Sequence, residues 1–98
     1  MNIFARVRLV IELAYNGFAY HGWQMQKKSI SIQQVVEEVL STLFAHKVAT
    51  VGCGRTDTGV HASQYFLHFE TRNEIPENFL FRVNQMLPKD IVVYDIFE

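Results

Sequence analysis

The chain has 98 residues, 49% of them hydrophobic, which suits one small domain and leaves little room for two. A net charge of −1 and an isoelectric point near 6.4 exclude the overall basic excess that marks many nucleic-acid-binding domains. The one cysteine, Cys53, excludes an internal disulfide and favours a reducing, cytoplasmic compartment. No signal peptide is recognisable at the start, and no apolar run approaches the roughly 18 residues of a membrane span.

A strand is the first predicted element, from Arg6 to Tyr15, because its side chains alternate between two faces. Asn16-Gly17 ends this strand. The stretch from Phe18 to Ser29 has no clean period, so we predict a loop. Aromatic residues would anchor it, namely Phe18, Tyr20 and Trp23.

An amphipathic helix is predicted to begin at Ser31, which has the capping-box spacing to Gln34. Ile30 and Val35 could form the accompanying hydrophobic staple. The apolar residues that follow recur at helical spacing and predict one buried face: Ile32, Val35, Val36, Val39, Leu40, Leu43 and Phe44. The opposite, outer face would carry Glu37, Glu38 and Ser41.

Four more elements are predicted downstream. Pro76 suits the first turn of a second helix. The inner face of that helix would consist of Phe79, Val83, Met86 and Leu87. The predicted strands are Val48–Cys53, Gln64–Thr71 and Ile91–Phe97.

The predicted order is therefore β-α-β-β-α-β, with residues 1–98 forming a single domain. Two amphipathic helices can cover one face of a four-stranded antiparallel sheet, which predicts a ferredoxin-like α+β sandwich. The other sheet face would stay open and carry Val10 and Ala14, so we expect a partner to cover it.

The stretch from Gly54 to Gly59 is glycine-rich and sets Arg55 two residues before Asp57. An arginine beside an aspartate favours the ionised carboxylate, which is a poor general acid and a competent nucleophile. Taken alone, Asp57-Thr58-Gly59 is more typical of a turn in which the carboxylate accepts nearby backbone N–H groups than of a catalytic site.

The longer string Gly54–Ala62, G-R-T-D-T-G-V-H-A, resembles the active-site signature of the tRNA pseudouridine synthase A family, usually G-R-T-D-A-G-V-H-A. Three more segments resemble that family in the right order. They are Tyr15–Gln24, Ile32-Gln33 with the helix after it, and Val83–Ile91, which is similar to L-N-x-x-L-P-x-D-I. The chain departs from the family at Cys53 and Thr58, where alanine is usual. Both residues are small, so the path of the loop should survive, and the hydroxyl of Thr58 could retune the site.

The resemblance implies isomerisation of uridine to pseudouridine in the anticodon stem-loop of tRNA, at RNA positions 38–40, with Asp57 matching the family's nucleophile. Arg55 matches the arginine that helps to hold the target nucleotide out of its stack. The family uses no cofactor and no metal, and its members form homodimers. They are more than twice as long as this chain, so we expect a missing C-terminal domain and an inactive fragment. Attack at C6 of uracil or at C1′ of ribose stays open.

Other side chains suggest further chemistry. His21, His61, His68 and Cys53 match no standard zinc spacing. Trp23 with Tyr20 could stack a base or anchor a core. The basic residues that could contact phosphates or simply face solvent are Arg6, Arg8, Lys27 and Lys28.

Two alternative functions follow from the same residues. The first is a non-catalytic RNA-binding or interaction module, since the RRM domain shares this arrangement of helices and strands. The second is an aspartic protease, since Asp57-Thr58-Gly59 is also the triplet of that class. A protease of that kind would be nearly all β, without the two helices predicted here.

Overall fold

The computed structural model describes residues 6–16, 31–52 and 62–98. In chain order its elements are β1 (Val7–Tyr15), α1 (Ile32–Phe44), β2 (Val51–Gly52), β3 (Ala62–Thr71), α2 (Phe79–Met86) and β4 (Ile91–Phe97). The predicted β-α-β-β-α-β order is confirmed. Helices α1 and α2 contradict the nearly all-β architecture that an aspartic protease requires. Neither helix has the length and apolar character that crossing a membrane demands.

One antiparallel sheet in the order β2-β3-β1-β4 organises the fold. Strand β1 lies inside it, pairing with β3 from Val7↔Thr71 onward and with β4 from Val10↔Phe97 onward. Both pairings are antiparallel, and together with the two helices they give the ferredoxin-like α+β sandwich that the sequence predicts.

The core lies between the sheet and the helices, because β1 turns every second side chain towards them. Ile11 and Leu13 are fully buried there. Phe44 connects three elements, since its ring lies 5.2 Å from that of Phe69 on β3 and 5.7 Å from that of Phe79 on α2. On the opposite, open face, Val10 and Ala14 are only half-buried, as the alternation predicts.

Helix α1 begins as its sequence predicts. The Ser31 hydroxyl accepts a hydrogen bond from the Gln34 backbone N–H at 3.1 Å. The Gln34 side-chain nitrogen donates to Glu38 Oε1, one turn further along the helix, at 3.5 Å. The predicted buried face is confirmed, with Val35 only partly buried at its margin. The helix ends at Ala45, whose φ of 61° is left-handed.

Helix α2 corrects two predictions. It begins at Phe79 and not near Pro76, because Asn78 adopts a left-handed φ of 55° and its carbonyl accepts the first helical bond, from Arg82 N. Met86 was predicted to face inward but is 44% exposed. The chain becomes extended at Leu87, which is 6% exposed and keeps the inward position predicted for it.

Two strand boundaries also differ from the prediction. The strand predicted over Val48–Cys53 is paired only at Val51 and Gly52 within the described residues, opposite His68 and Leu67. Strand β3 begins at Ala62, two residues before the predicted start, because Ala62 pairs with Tyr15 at the end of β1.

We expect Phe44→Ala to lower the free energy of unfolding by about 3–5 kcal/mol, because the ring is 1% exposed and contacts the rings of Phe69 and Phe79. Urea denaturation followed by circular dichroism measures this. Phe81→Ala is the matched control, since Phe81 is 65% exposed, and it should cost less than about 1 kcal/mol. Should Phe44→Ala unfold the chain outright, Phe44→Leu, with an expected loss of about 1 kcal/mol, keeps the comparison measurable. Equal losses at positions 44 and 81 would contradict the described core.

Ala45→Gly should stabilise the chain by about 0.5–1 kcal/mol, because glycine adopts the left-handed conformation at the end of α1 without a Cβ penalty. Ala49→Gly is the control and should be neutral or destabilising, since no positive φ occurs there. Thermal denaturation of both variants checks this, and a lower melting temperature for Ala45→Gly would refute it.

Candidate functional site

The described flanks of three segments that resemble family motifs lie at one end of the sheet. Tyr15, the last residue of β1, lies opposite Ala62 of β3 on one side and Ile91 of β4 on the other. Residues 53–61, which contain Asp57, therefore lead directly into β3 beside the end of β1. The segment from 17 to 30 follows β1 at the same end, and residues 87–90 lead into β4 there.

Backbone and ring contacts hold this end of the sheet together. The Asn16 N–H donates to the Asp90 carbonyl at 2.9 Å, which ties the end of β1 to the turn before β4. Beneath it, the buried rings of Tyr15 and Tyr65 meet edge to face at 5.6 Å. The start of β3, where residues 53–61 enter the sheet, is thus supported by a rigid aromatic pair.

Asp57 and Arg55, the predicted catalytic and substrate-binding residues, lie outside the described residues, as do Cys53 and Thr58. The other candidates in residues 17–30 and 53–61 also lie outside them: Phe18, Tyr20, His21, Trp23, Lys27, Lys28, Ile30 and His61. Their predicted roles remain predictions. The structure does describe both flanks of the Asp57 segment, Gly52 at the end of β2 and Ala62 at the start of β3.

A stripe of polar side chains on α1 binds the backbone that leads into β2. We call it the polar stripe, and it consists of Gln33, Glu37 and Ser41, spaced four residues apart. Glu37 and Ser41 are predicted on the outer face of α1, but both side chains are half-buried against the chain that leads into β2. Both side chains accept backbone hydrogen bonds from residues 48–50.

Thr50 receives most of these contacts. Its N–H donates to Glu37 Oε2 at 2.6 Å, and its hydroxyl donates to the same oxygen at 2.9 Å. Its carbonyl accepts from Gln33 Nε2 at 3.0 Å, while that amide also donates to Glu37 Oε2 at 3.2 Å. Two residues earlier, the Val48 N–H donates to Ser41 Oγ at 2.9 Å. The helix therefore satisfies backbone groups that a neighbouring strand would otherwise bind.

These contacts are strong enough to fix the chain locally. Thr50 is 6% exposed, and hydrogen bonds to an ionised carboxylate contribute about 1.5–3 kcal/mol each, roughly twice a neutral bond. Removing Glu37 leaves the Thr50 N–H without this partner in a buried position, which adds a desolvation cost. The signal in the sequence was the i, i+4, i+8 spacing of polar residues beside an apolar face, but a solvated stripe has the same spacing.

Asn84, in the segment Val83–Ile91 that resembles the family, connects α2 to the backbone of β4. Its side-chain carbonyl accepts from Val93 N at 2.8 Å, and its amide donates to Val93 O at 2.9 Å. The side chain thus binds both backbone groups of one residue in β4, at the edge of the described sheet. Such contacts fix the packing of α2 on β4 and protect exposed edge groups.

The charged and metal-type side chains of the described residues form no compact site. Across residues 6–16, 31–52 and 62–98, no three His, Cys, Asp or Glu side chains are grouped closely enough to hold a metal ion. Arg6 and Arg8 each lie 3.9 Å from Glu70 in exposed ion pairs, which contribute little. A groove of about 690 Å³ lies at the end of the sheet opposite Tyr15, with Lys47 and Arg72 among its lining residues.

Comparison with known proteins identifies the family. No family model matches the chain. A tRNA pseudouridine synthase A of Ruminiclostridium cellulolyticum is 45% identical over 90% of this chain and 36% of its own length. The enzyme of that name from Porphyromonas gingivalis is 46% identical over 89% of the chain, and the one from Bacteroides fragilis is 42% identical over 91% of the chain. Each match again covers 36% of the relative's own length. The chain spans about a third of the length of these relatives. It belongs to the tRNA pseudouridine synthase A family.

Proposed function

We propose that the protein containing this chain isomerises uridine to pseudouridine in the anticodon stem-loop of tRNA, with Asp57 as the nucleophile. The observation that carries the proposal is the identity of 45% over 90% of the chain to a protein named tRNA pseudouridine synthase A. The string G-R-T-D-T-G-V-H-A, bounded by β2 and β3, supports the assignment of Asp57. Functional residues often follow rigid strands in this way.

The reaction needs a group that assists cleavage of the glycosidic bond and nothing that carries electrons. The bond from C1′ to N1 breaks, a bond from C1′ to C5 forms, C5 loses a proton and N1 gains one. Oxidation states balance, so the reaction requires no redox cofactor. The Asp57 carboxylate can add to C6 of uracil or to C1′ of ribose, and either adduct frees the base to turn.

Arg55 has a separate role in this proposal. A uridine inside a stem is stacked and paired, and extruding it costs a few kcal/mol. The guanidinium of Arg55 contacts the RNA beside the vacated position and keeps the target nucleotide outside its stack. A planar cation with five donors suits phosphate and base edges together.

Activity in this proposal requires sequence beyond these residues, because the relatives named for the reaction are almost three times as long as the matched part. We propose that the additional domain covers the open sheet face, where Val92 is 41% exposed and Tyr94 is 53% exposed. It would supply further RNA contacts to a chain whose own net charge is −1. We place the complete protein in the cytoplasm as a homodimer.

Asp57→Asn in the complete protein should lower pseudouridine formation at least about 10³-fold, because the amide cannot act as the nucleophile. Tritium release from tRNA labelled at C5 of uridine measures the reaction directly. Binding of tRNA, measured by filter retention, should change less than about 3-fold. Glu38→Gln is the control, since Glu38 is an exposed carboxylate on α1, away from the open sheet face, and it should keep full activity.

Three results separate the alternatives. If the unmodified complete protein binds tRNA and forms no pseudouridine, the non-catalytic RNA-binding alternative replaces the enzyme. If pseudouridine forms and Asp57→Asn keeps the normal rate, the enzyme assignment stands and the nucleophile lies elsewhere. If the 98-residue chain alone catalyses the reaction at the rate of the complete protein, the requirement for a further domain is wrong.

A further inference from the structure

We propose that Gln33 and Glu37 are positioning residues for the reaction, which act through Thr50 to hold the segment that carries Asp57. This inference rests on the proposed function. Neither side chain is assigned a catalytic role, and neither has to contact the RNA. Their task is to fix the chain at Thr50, directly before β2 and three residues before the segment 53–61.

The sheet alone holds the start of that segment weakly. Strand β2 pairs with β3 only at Val51 and Gly52 among the described residues. Val51 is 55% exposed, so side-chain burial there contributes little to fixing the strand. A strand this short at a sheet edge is prone to opening, because few hydrogen bonds must break together. Additional restraint has to come from another element.

Helix α1 supplies that restraint from a well-anchored position. Glu37 directly follows the fully buried Val36 and lies one turn after the half-buried Gln33, so the helix carrying it cannot shift without disturbing the core. Three donors converge on Glu37 Oε2: the Thr50 N–H, the Thr50 hydroxyl and Gln33 Nε2. Gln33 holds the Thr50 carbonyl in addition. Because both backbone groups of Thr50 are bound, the peptide planes on either side of it are fixed in orientation.

The consequence falls on Asp57, which follows Thr50 by seven residues. A nucleophile must be held to within about 0.5 Å of its productive position, and a displacement of about 1 Å at the reacting atoms costs on the order of 100-fold in rate. Loss of the Glu37 contact therefore lowers the rate of the chemical step more than it lowers affinity for tRNA. A purely structural contact would lower activity only by reducing the folded fraction.

The restraint itself can be measured on the 98-residue chain by amide hydrogen exchange. In Glu37→Ala the Thr50 amide should exchange at least about 10-fold faster, while amides of β1 such as Ile11 keep their protection. Glu38→Gln is the matched control, since Glu38 is the adjacent exposed glutamate, and it should leave Thr50 unchanged. Unchanged exchange at Thr50 in Glu37→Ala would overturn the inference at its first step.

The catalytic consequence is measured in the complete protein by single-turnover kinetics at saturating tRNA. Glu37→Ala should lower the rate constant at least about 10-fold while the Kd for tRNA changes less than about 3-fold. Glu37→Gln should stay within about 3-fold of the normal rate, because its carbonyl oxygen can accept the same bonds from Thr50. Glu38→Gln should again have no effect.

Two results would refute the positioning role and leave the proposed function intact. In the first, Glu37→Ala forms pseudouridine at the normal rate per folded molecule, with folding followed by urea denaturation. In the second, Glu37→Gln loses as much activity as Glu37→Ala even though its Thr50 amide stays protected. Absence of activity in the unmodified complete protein would instead refute the proposed function.

Discussion

Strand β1 is the constraint on which the rest of the structure depends, because it pairs with a strand on each side and carries the middle of the core. Ile11 and Leu13 are fully buried beneath the helices, so the register of β1 cannot slip without exposing them. That fixed register places Tyr15 between Ala62 and Ile91. That the described flanks of the motif segments lie at one end of the sheet is therefore a consequence of how one strand is buried.

The edge of the sheet that leads to Asp57 is held differently. There β2 is short, and side chains of α1 replace a strand partner by binding the backbone of Val48 and Thr50. Asn84 plays a similar part at the opposite edge, where it binds both backbone groups of Val93. In both places polar side chains of a helix bind backbone groups at the edge of the sheet. These groups therefore have hydrogen-bond partners without a further strand.

Repeating patterns in the sequence were sufficient to predict most elements. The alternation in β1 and the helical spacing of α1 both report burial on one face, and the structure confirms both. Local backbone conformation accompanies the errors in α2, since the left-handed Asn78 delays its start and the chain becomes extended directly after the exposed Met86. Such conformations leave no periodic trace, so patterns of hydrophobicity do not detect them.

The sequence by itself determined the fold class and the family. The spacing of the apolar residues predicts which faces are buried, and the string G-R-T-D-T-G-V-H-A is contiguous, so neither depends on tertiary contacts. Only the tertiary structure decided what Glu37 does. Its partner Thr50 lies 13 residues away, and their contact depends on how α1 packs against the sheet. A polar residue at helical spacing has the same sequence pattern whether it faces water or a backbone N–H, and only the folded chain supplies the donor that distinguishes the two.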